Sequence, residues 1–189
     1  MNTPRMTGRY NRAVPAMDLR SRIRDVPDFP RPGIVFKDIM PLLADPQALH
    51  QAVDDLAEWA TPKQVDLVVG AEARGFILGA ALAYKLGCGF AAARKPGKLP
   101  YLTVGAKYAL EYGFDALEMH VDAVAKGARV LVHDDLLATG GTARAKIELV
   151  EQLGAEVVGA VFVVELAFLN GRDRLYGYDV HSLVQYESE

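Results

Sequence analysis

The chain has 189 residues, 51% of them hydrophobic and 24% charged, with a formal net charge of −3. This length fits one globular domain, and the slight acidity argues against a surface that coats nucleic acid. No segment approaches the roughly 18 uninterrupted apolar residues of a membrane span. The single cysteine, Cys88, excludes an intrachain disulfide, and the four histidines have no metal-ligand spacing.

The first 17 residues are expected to form a disordered extension. They carry Arg5, Arg9 and Arg12 but lack the apolar run of a signal peptide, and their two prolines disfavour an amphipathic targeting helix. We therefore expect a single domain over residues 18–189 and a cytoplasmic protein.

The first half of the domain alternates helices with strands. A helix is predicted to begin at Pro46, because Asp45 is a good N-cap and proline suits the first helical position. Apolar residues at 49, 53, 56 and 60 then share one face, and Thr61-Pro62 ends the helix. A buried strand (65–70), an apolar helix (76–87) and a strand (89–93) are predicted to follow.

The second half repeats this alternation after an irregular stretch. Residues 94–116 have no clear period, and a loop of that length in a compact domain is usually a lid or a binding loop. A strand (128–133), a helix (142–154) and a strand (156–166) come next. Alternating strands and helices predict an α/β fold, with a mostly parallel sheet covered by helices on both faces.

Adjacent carboxylates precede a small-residue turn in VLVHDDLLATGGTA, residues 130–143. A glycine pair between a strand and a helix favours a bound phosphate, because backbone N–H groups converge at the helix start. The stretch is neither a Walker loop nor a dinucleotide fingerprint. Asp134 and Asp135 suit ribose hydroxyls or a hydrated Mg²⁺, so the stretch predicts a ribose phosphate ligand. The alternative is an acidic turn before an ordinary capped helix.

These residues resemble the phosphoribosyl diphosphate signature of the type I phosphoribosyltransferases. Further stretches resemble the adenine-specific members of that family: IRDVPDFPRPGIVFKDIMPLL (23–43), RKPGKLP (94–100), LEYG (110–113), VEL (164–166) and SLVQYE (182–187). The resemblance implies a twisted, mostly parallel sheet in one domain, a base-binding segment at about 23–43 (the hood) and a flexible lid at about 94–116. It also implies that adenine and phosphoribosyl diphosphate give AMP and diphosphate, with Mg²⁺ as cofactor.

The resemblance assigns residues to each part of the substrates. The phosphate loop would hold the 5′-phosphate: Ala138, Thr139, Gly140, Gly141 and Thr142. Asp134 and Asp135 would take the ribose hydroxyls, with at most a water-mediated contact to Mg²⁺, which phosphoribosyl diphosphate carries to the site. The base would lie against Phe36 and be read by the backbone of Val35 and Lys37; for Phe36 the alternative is plain core packing.

The remaining assignments concern diphosphate and catalysis. The diphosphate loop would be Glu72, Ala73 and Arg74, with a non-proline cis peptide near Glu72-Ala73 and a catalytic role for Arg74. A basic segment would neutralise the leaving group through Arg94, Lys95 and Lys98, and Arg94 would reach the partner's site in a homodimer. Glu111 would transfer the proton and Tyr112 would belong to the closing lid. The alternatives are a solvated basic loop and a glutamate that pairs with Lys107.

Two departures and two other functions remain open. His133 replaces the apolar residue usual before the acid pair, and residues 101–104 lack the glycine that leads the lid in relatives. A hypoxanthine/guanine or xanthine phosphoribosyltransferase is disfavoured by FPRPGIVFKDI and LEYG. A ligand-responsive regulator is disfavoured because the chain has no helix-turn-helix module.

Overall fold

A computed structural model describes residues 17–109 and 114–188, without the side chains of residues 108, 109, 114 and 115. The α-helices in these ranges are α1 (Met40–Ala44), α2 (Pro46–Ala60), α3 (Arg74–Leu86) and α4 (Gly141–Gln152), and short 3-10 helices lie at Leu19–Arg22, Thr61–Lys63, Ala167–Leu169 and Gly171–Leu175. The strands are β1 (Arg24–Val26), β2 (Phe36–Asp38), β3 (Leu67–Ala71), β4 (Gly89–Ala93), β5 (Thr103–Ala109), β6 (Phe114–His120), β7 (Arg129–Leu137), β8 (Glu156–Leu166) and β9 (Val180–Tyr186). No helix in the described ranges is long and apolar enough to cross a membrane.

The centre of the fold is a five-stranded sheet in the order β4-β3-β7-β8-β9. Every neighbouring pair in it is parallel, which confirms the predicted α/β class. The last strand, β9, was not predicted, although it contains the SLVQYE stretch. Because all five strands point the same way, their carboxyl ends meet along one edge, where ligands bind in open parallel sheets.

Both faces of the sheet are covered, because successive side chains of a strand point to opposite sides. On one face, Val68 and Leu131 pack in the cluster that contains residues of α2 and α3. On the other, Val69 and Val130 pack with Leu149 of α4 and with the ribbon formed by β5 and β6. Leu149 is fully buried, and truncating such a leucine to alanine costs about 2–5 kcal/mol.

Strand β7 is longer than predicted. Its expected end was residue 133, but its pairing with β8 continues to Leu137, opposite Glu165. The two acids therefore lie inside the strand rather than in a loop after it. Parallel pairing on both sides holds the backbone up to residue 133, and β8 alone holds it from there on.

Part of the stretch predicted as an irregular loop, residues 94–116, is regular. Strands β5 and β6 form an antiparallel ribbon, with Thr103 opposite His120 and Ala109 opposite Phe114. Leu117 and Met119 are buried in the same core cluster as Leu149 of α4. Their spacing of two residues is typical of a strand. The alternation is too short to be recognised in the sequence among the surrounding glycines and lysines.

The segment assigned to the base, residues 23–43, forms a small unit of its own. Strands β1 and β2 pair antiparallel in a separate two-stranded sheet, with Val26 opposite Phe36. The chain enters this unit from Met17, whose backbone N–H donates to Gln51 Oε1 of α2 at 2.7 Å. Phe36 is thereby carried on a strand beside the main sheet.

Candidate active site

The predicted site residues meet in a cleft of about 240 Å³. It lies where β3 and β7 end, at the carboxyl edge of the sheet. It is lined by Glu72, Arg74, Asp134, Asp135, Leu136, Leu137, Ala138, Thr139, Gly140, Gly141, Thr142 and Ala143. The acid pair, the phosphate loop and two residues of the diphosphate loop thus share one cavity.

Asp134 is a fixed carboxylate. Its Oδ2 atom accepts a hydrogen bond from Lys146 Nζ at 2.8 Å, and that ammonium also donates to the His133 carbonyl at 2.5 Å. Lys146 is fully buried, so the pair is shielded from water. Gly75 lies against the same carboxylate, because a Cβ there would come within 2.6 Å of Asp134 Oδ1. The side chain of Asp134 is therefore committed to holding the strand end.

Asp135 faces the cleft as a perturbed acid. Burial, followed by the charge of Asp134, raises its pKa to about 6, while the Arg74 guanidinium opposes that shift. Arg74 Nε lies 2.5 Å from Asp135 Oδ2. This leaves Asp135 as the carboxylate of the pair that can exchange a protein partner for a ligand hydroxyl.

The phosphate loop leads directly into α4. Gly140 is the N-cap, with φ +81°, and no side chain caps the helix. The first N–H groups of a helix have no intrahelical acceptor, so those of α4 are available to an anion. Gly140 also meets a neighbouring turn, since a Cβ there would lie 2.4 Å from the Gly171 carbonyl oxygen.

The diphosphate loop is tied to the basic segment. The Glu72–Ala73 peptide is cis, as predicted. Glu72 Oε2 accepts from Arg94 Nε at 2.9 Å and Nη2 at 2.7 Å, and Oε1 accepts from the Lys95 N–H at 2.7 Å. Burial alone would raise the pKa of Glu72, but the bonds from Lys95 and Arg94 hold it below its ordinary value. Arg94 also donates to the Lys98 carbonyl, at 3.0 Å.

The residues assigned to the base approach the cleft from β2. Arg74 Cζ lies 4.7 Å from the centroid of the Phe36 ring, and Phe29 meets that ring edge-on at 5.2 Å. Phe36 and Val35 are half-buried, so Phe36 is not plain core. The Lys37 side chain points elsewhere, to Asp25 at 2.9 Å, which leaves only its backbone for a base.

The structure does not test every assignment. Glu111 and Tyr112 lie outside the described residues, so their roles remain predictions. Arg94 contacts Glu72 of its own chain, and its reach into a partner's site also remains a prediction. His133 is fully buried and lies 3.2 Å from the Val161 carbonyl through Nδ1, and burial lowers its pKa to about 4.

Sequence reasoning missed Lys146. The residue lies between Ala145 and Ile147 in α4, four positions after Thr142, so a helical projection places it below the phosphate loop. A lysine at such a position needs a buried anion as its partner. Asp134 is that anion, and the spacing could have been recognised.

Comparison with known proteins supports one family. Residues 43–185 match the model of the phosphoribosyl transferase domain. The adenine phosphoribosyltransferase of Acetivibrio thermocellus is 57% identical over 171 residues, which are 90% of this chain and 100% of that protein. The crystal structure of adenine phosphoribosyltransferase from Thermoanaerobacter pseudethanolicus superposes with a TM-score of 0.87 at 51% identity, covering 89% of this chain and 98% of the other.

A third comparison reaches a more distant relative. The Saccharomyces cerevisiae adenine phosphoribosyltransferase, solved with adenine and an imino-altritol bisphosphate, has a TM-score of 0.82 at 40% identity, covering 87% and 96% of the two chains. The fold, the signature and the length of the match agree. The chain therefore belongs to the phosphoribosyltransferase family, and within it to the adenine phosphoribosyltransferases.

Proposed function

We propose that this protein transfers the 5-phosphoribosyl group of phosphoribosyl diphosphate to adenine, giving AMP and diphosphate. The observation that carries the proposal is the shared cleft, which joins the acid pair, an uncapped helix N-terminus and Arg74. Such a reaction recovers free adenine as a nucleotide, in purine salvage. Phosphoribosyl diphosphate is a polyanion that a lipid bilayer excludes, so we place the enzyme in the cytoplasm with this substrate.

The phosphate loop suits the 5′-phosphate. A helix N-terminus offers converging N–H groups and a positive dipole end, and the cleft reaches Gly141 and Thr142 at that point. Asp135 lies near the end of β7, just before the phosphate loop, and can accept hydrogen bonds from ribose hydroxyls. Asp134 holds the end of β7 in place through its bond from Lys146. Asp135 and the phosphate loop are therefore neighbours, as the diol and the 5′-phosphate are in ribose 5-phosphate.

Diphosphate fits the opposite wall of the cleft. Arg74 lines it, and the basic segment is attached to it through the Glu72–Arg94 pair. Positive groups at a departing polyanion stabilise the charge that develops as the bond from C1′ to oxygen breaks. We assign Arg74, Lys95 and Lys98 to that role.

Adenine fits beside Phe36. The yeast relative was solved with adenine bound, and the base-binding segment of this chain carries an aromatic ring next to Arg74. Backbone groups of Val35 and Lys37 can complement the 6-amino edge of adenine. A 6-oxo purine would leave those groups unpaired, which is how a site rejects a close analogue.

The chemical step replaces one bond at C1′ by another. Adenine N9 forms the new bond to C1′ while diphosphate departs with the bonding electrons, and the base must lose a proton. We assign Glu111 as the group that accepts this proton. Closure of the lid, including Tyr112, would exclude the water that competes for C1′.

Mg²⁺ fits this site only in partnership with the substrate. Both oxygens of Asp134 are engaged within the protein, and Asp135 Oδ2 faces Arg74. No cluster of metal-ligating side chains occurs among the described residues. We propose that Mg²⁺ arrives with phosphoribosyl diphosphate and meets Asp135 at most through water. When bound, it supplies positive charge to the leaving group.

We further propose a homodimer that uses the exposed side of α3. Ile77 and Tyr84 are 46% and 89% exposed and lie two helical turns apart on one face of α3. Large apolar side chains grouped on a surface mark interaction sites. Sedimentation velocity should give a dimer that Tyr84→Glu dissociates, while Tyr176→Glu, at a 92% exposed tyrosine elsewhere, leaves it intact. A monomeric wild type contradicts the dimer.

One assay tests the function. The purified protein should form AMP from adenine and phosphoribosyl diphosphate with Mg²⁺, and should give far less product with hypoxanthine, guanine or xanthine. Asp135→Asn, prepared in the same way, should lose most of the activity, which excludes a contaminating host enzyme. Preference for a 6-oxo purine, or no nucleotide from any base, would overturn the proposal.

A further inference from the structure

Two sequence stretches without an assigned role, VEL (164–166) and SLVQYE (182–187), meet in the structure. Glu165, near the carboxyl end of β8, accepts hydrogen bonds from Ser182 Oγ and from Gln185 Nε2, the latter at 3.2 Å. The same carboxylate accepts from Arg172 Nε at 2.6 Å and Nη2 at 2.8 Å. Glu165 is only 4% exposed, so this is a buried acid with every donor supplied by the protein.

Arg172 lies in the turn at Gly171–Leu175, a short 3-10 helix that contacts the phosphate loop. Gly171 directly precedes it, and a Cβ at Gly171 would come within 2.2 Å of the Ala138 carbonyl oxygen. In the other direction, a Cβ at Gly140 would come within 2.4 Å of the Gly171 carbonyl. The turn and the loop are therefore in backbone-to-backbone contact at two points. A displacement of the turn cannot leave the loop where it is.

We propose that the Glu165–Arg172 pair is a positioning element for the phosphate loop, an inference that rests on the proposed function. The pair anchors the turn at residues 171–175. Through Gly171, this turn fixes the positions of Ala138 and Gly140 relative to the sheet. Neither charged side chain lines the cleft. The pair acts through Gly171, so its effect is confined to the ligand group that the loop holds.

The geometry of the pair suits this task. A guanidinium that meets a carboxylate through two parallel N–H bonds is fixed in direction as well as in distance. Arg172 Nη1 also donates to the Val180 carbonyl at 3.1 Å, which ties the turn to the start of β9. Binding groups must be held within about 0.5 Å of their productive positions. A rigid, oriented link gives that precision better than apolar packing.

The electrostatics keep the pair charged. Burial alone would raise the pKa of Glu165, but hydrogen bonds from Arg172, then Ser182, hold it below its ordinary value. Glu165→Gln keeps the size of the side chain and removes the charge, so it loosens the link without opening a cavity. Arg172→Lys keeps the charge and removes the paired bonds.

The test separates phosphate recognition from base recognition. Ribose 5-phosphate is titrated calorimetrically into wild type, Glu165→Gln and Arg172→Lys, and KM is measured for each substrate. We expect both variants to bind ribose 5-phosphate about 10-fold or more weakly, with a matching rise in the KM for phosphoribosyl diphosphate. The KM for adenine should stay unchanged.

The matched control is the ion pair at the opposite end of the same strand. Arg129 Nη1 lies 3.1 Å from Glu156 Oε2, and Glu156 begins β8 far from the cleft. Glu156→Gln should leave both KM values and the ribose 5-phosphate affinity unchanged. An equal loss in Glu156→Gln and Glu165→Gln would show a general effect of strand stability and would overturn the proposal.

Four further outcomes complete the test. Variants that bind ribose 5-phosphate as wild type does overturn the positioning role, as does a parallel rise in both KM values. If Glu165→Gln fails to fold, Arg172→Lys decides alone by the same comparison. If wild type binds ribose 5-phosphate but makes no AMP, the proposed function fails, while selective weakening in the variants still supports the positioning element.

Discussion

Arg74 Nε lies 2.5 Å from Asp135 Oδ2, so the arginine of the diphosphate loop is paired with the acid assigned to the ribose. The same guanidinium lies 4.7 Å from the centroid of Phe36. One side chain thus connects the groups assigned to diphosphate, ribose and base. A ligand that draws Arg74 away frees both the Asp135 carboxylate and one side of the Phe36 ring.

The first prediction is a pH dependence centred on Asp135. Burial and the charge of Asp134 raise its pKa to about 6, and the ionised form is the better acceptor for ribose hydroxyls. We therefore expect the KM for phosphoribosyl diphosphate to be lowest above about pH 6 and to rise as the pH falls through that value. Initial-rate measurements on both sides of the midpoint check this.

The stability effect of the same group has the opposite sign. The folded protein binds the Asp135 proton at a higher pH than the unfolded chain does, so this group's contribution to the free energy of unfolding decreases as pH rises from 3.8 to about 6. Asp135→Asn serves as the control for binding, because substrate phosphates themselves titrate near pH 6. Identical pH profiles for wild type and Asp135→Asn would contradict the assignment.

The second prediction concerns Arg74→Gln. The arginine charge lowers the pKa of Asp135 against burial, so its removal should move the acid limb of the KM profile to higher pH. The KM for phosphoribosyl diphosphate should also rise at every pH, since a charge opposite the diphosphate is lost. Arg144→Gln is the matched control, because Arg144 pairs with Glu148 on α4 at 3.0 Å. An acid limb that stays in place in Arg74→Gln would disprove the coupling.

The third prediction separates two costs at Gly140. Its φ of +81° disfavours a side chain, and a Cβ would lie 2.4 Å from the Gly171 carbonyl oxygen. We expect Gly140→Ala to lower the free energy of unfolding by about 1–2 kcal/mol for the backbone conformation and by about 1–3 kcal/mol more for the overpacking. Replacing Gly140 is therefore a test of folding as well as of phosphate binding.

Gly177→Ala supplies the comparison, measured by urea denaturation under the same conditions. Gly177 has φ +92°, but nothing lies within 4 Å of a Cβ built there. The difference between the two variants gives the cost of the clash alone. Equal losses would mean that the turn at Gly171 yields easily, which would also weaken the case for it as a support of the loop.

The parts of the fold that could be predicted from sequence are those with local causes. Asp45 accepts from the Gln47 and Ala48 N–H groups and starts α2 where the N-cap pattern placed it. Strand β8 has the predicted bounds because its apolar run is buried on both faces. The stretch that we propose to bind the ligand was recognisable for the same reason, since a strand, two acids and a glycine turn are contiguous.

What could not be predicted depends on contacts between distant residues. Strand β7 continues past the acids because β8 pairs with it up to Leu137. The ribbon of β5 and β6 is ordered by packing on α4, and the Arg94–Glu72 pair joins residues that are 22 positions apart. The proposed link from Glu165 and Arg172 to the phosphate loop runs through Gly171, which no local pattern reveals.

The fourth prediction concerns the metal. Asp134 is engaged by Lys146 and Asp135 by Arg74, so neither acid offers a free pair of oxygens to a cation. Mg²⁺ usually keeps several waters and binds proteins through substrate phosphates. Calorimetry should show at most weak Mg²⁺ binding to the free protein and clear binding once phosphoribosyl diphosphate is present. Tight stoichiometric binding to the free protein would contradict this.

The last prediction concerns Glu111, the acid that the resemblance places near adenine N7. As N9 bonds to C1′, the base must lose a proton. In the reverse direction, the base of AMP must gain a proton at N7 to depart as neutral adenine. Glu111→Gln keeps the size of the side chain and its hydrogen bonding but cannot exchange that proton. General acid–base catalysis contributes about 10²–10⁴-fold, which corresponds to roughly 3–5 kcal/mol of barrier.

We therefore expect turnover in Glu111→Gln to fall by about that factor, with little change in the affinity for phosphoribosyl diphosphate. The affinity is the internal control, because Asp135 and the phosphate loop are untouched. A single-turnover measurement must accompany the steady state, since slow product release would hide a slower chemical step. If the chemical step of the variant runs within about threefold of wild type, well short of general acid–base magnitudes, Glu111 does not transfer the proton.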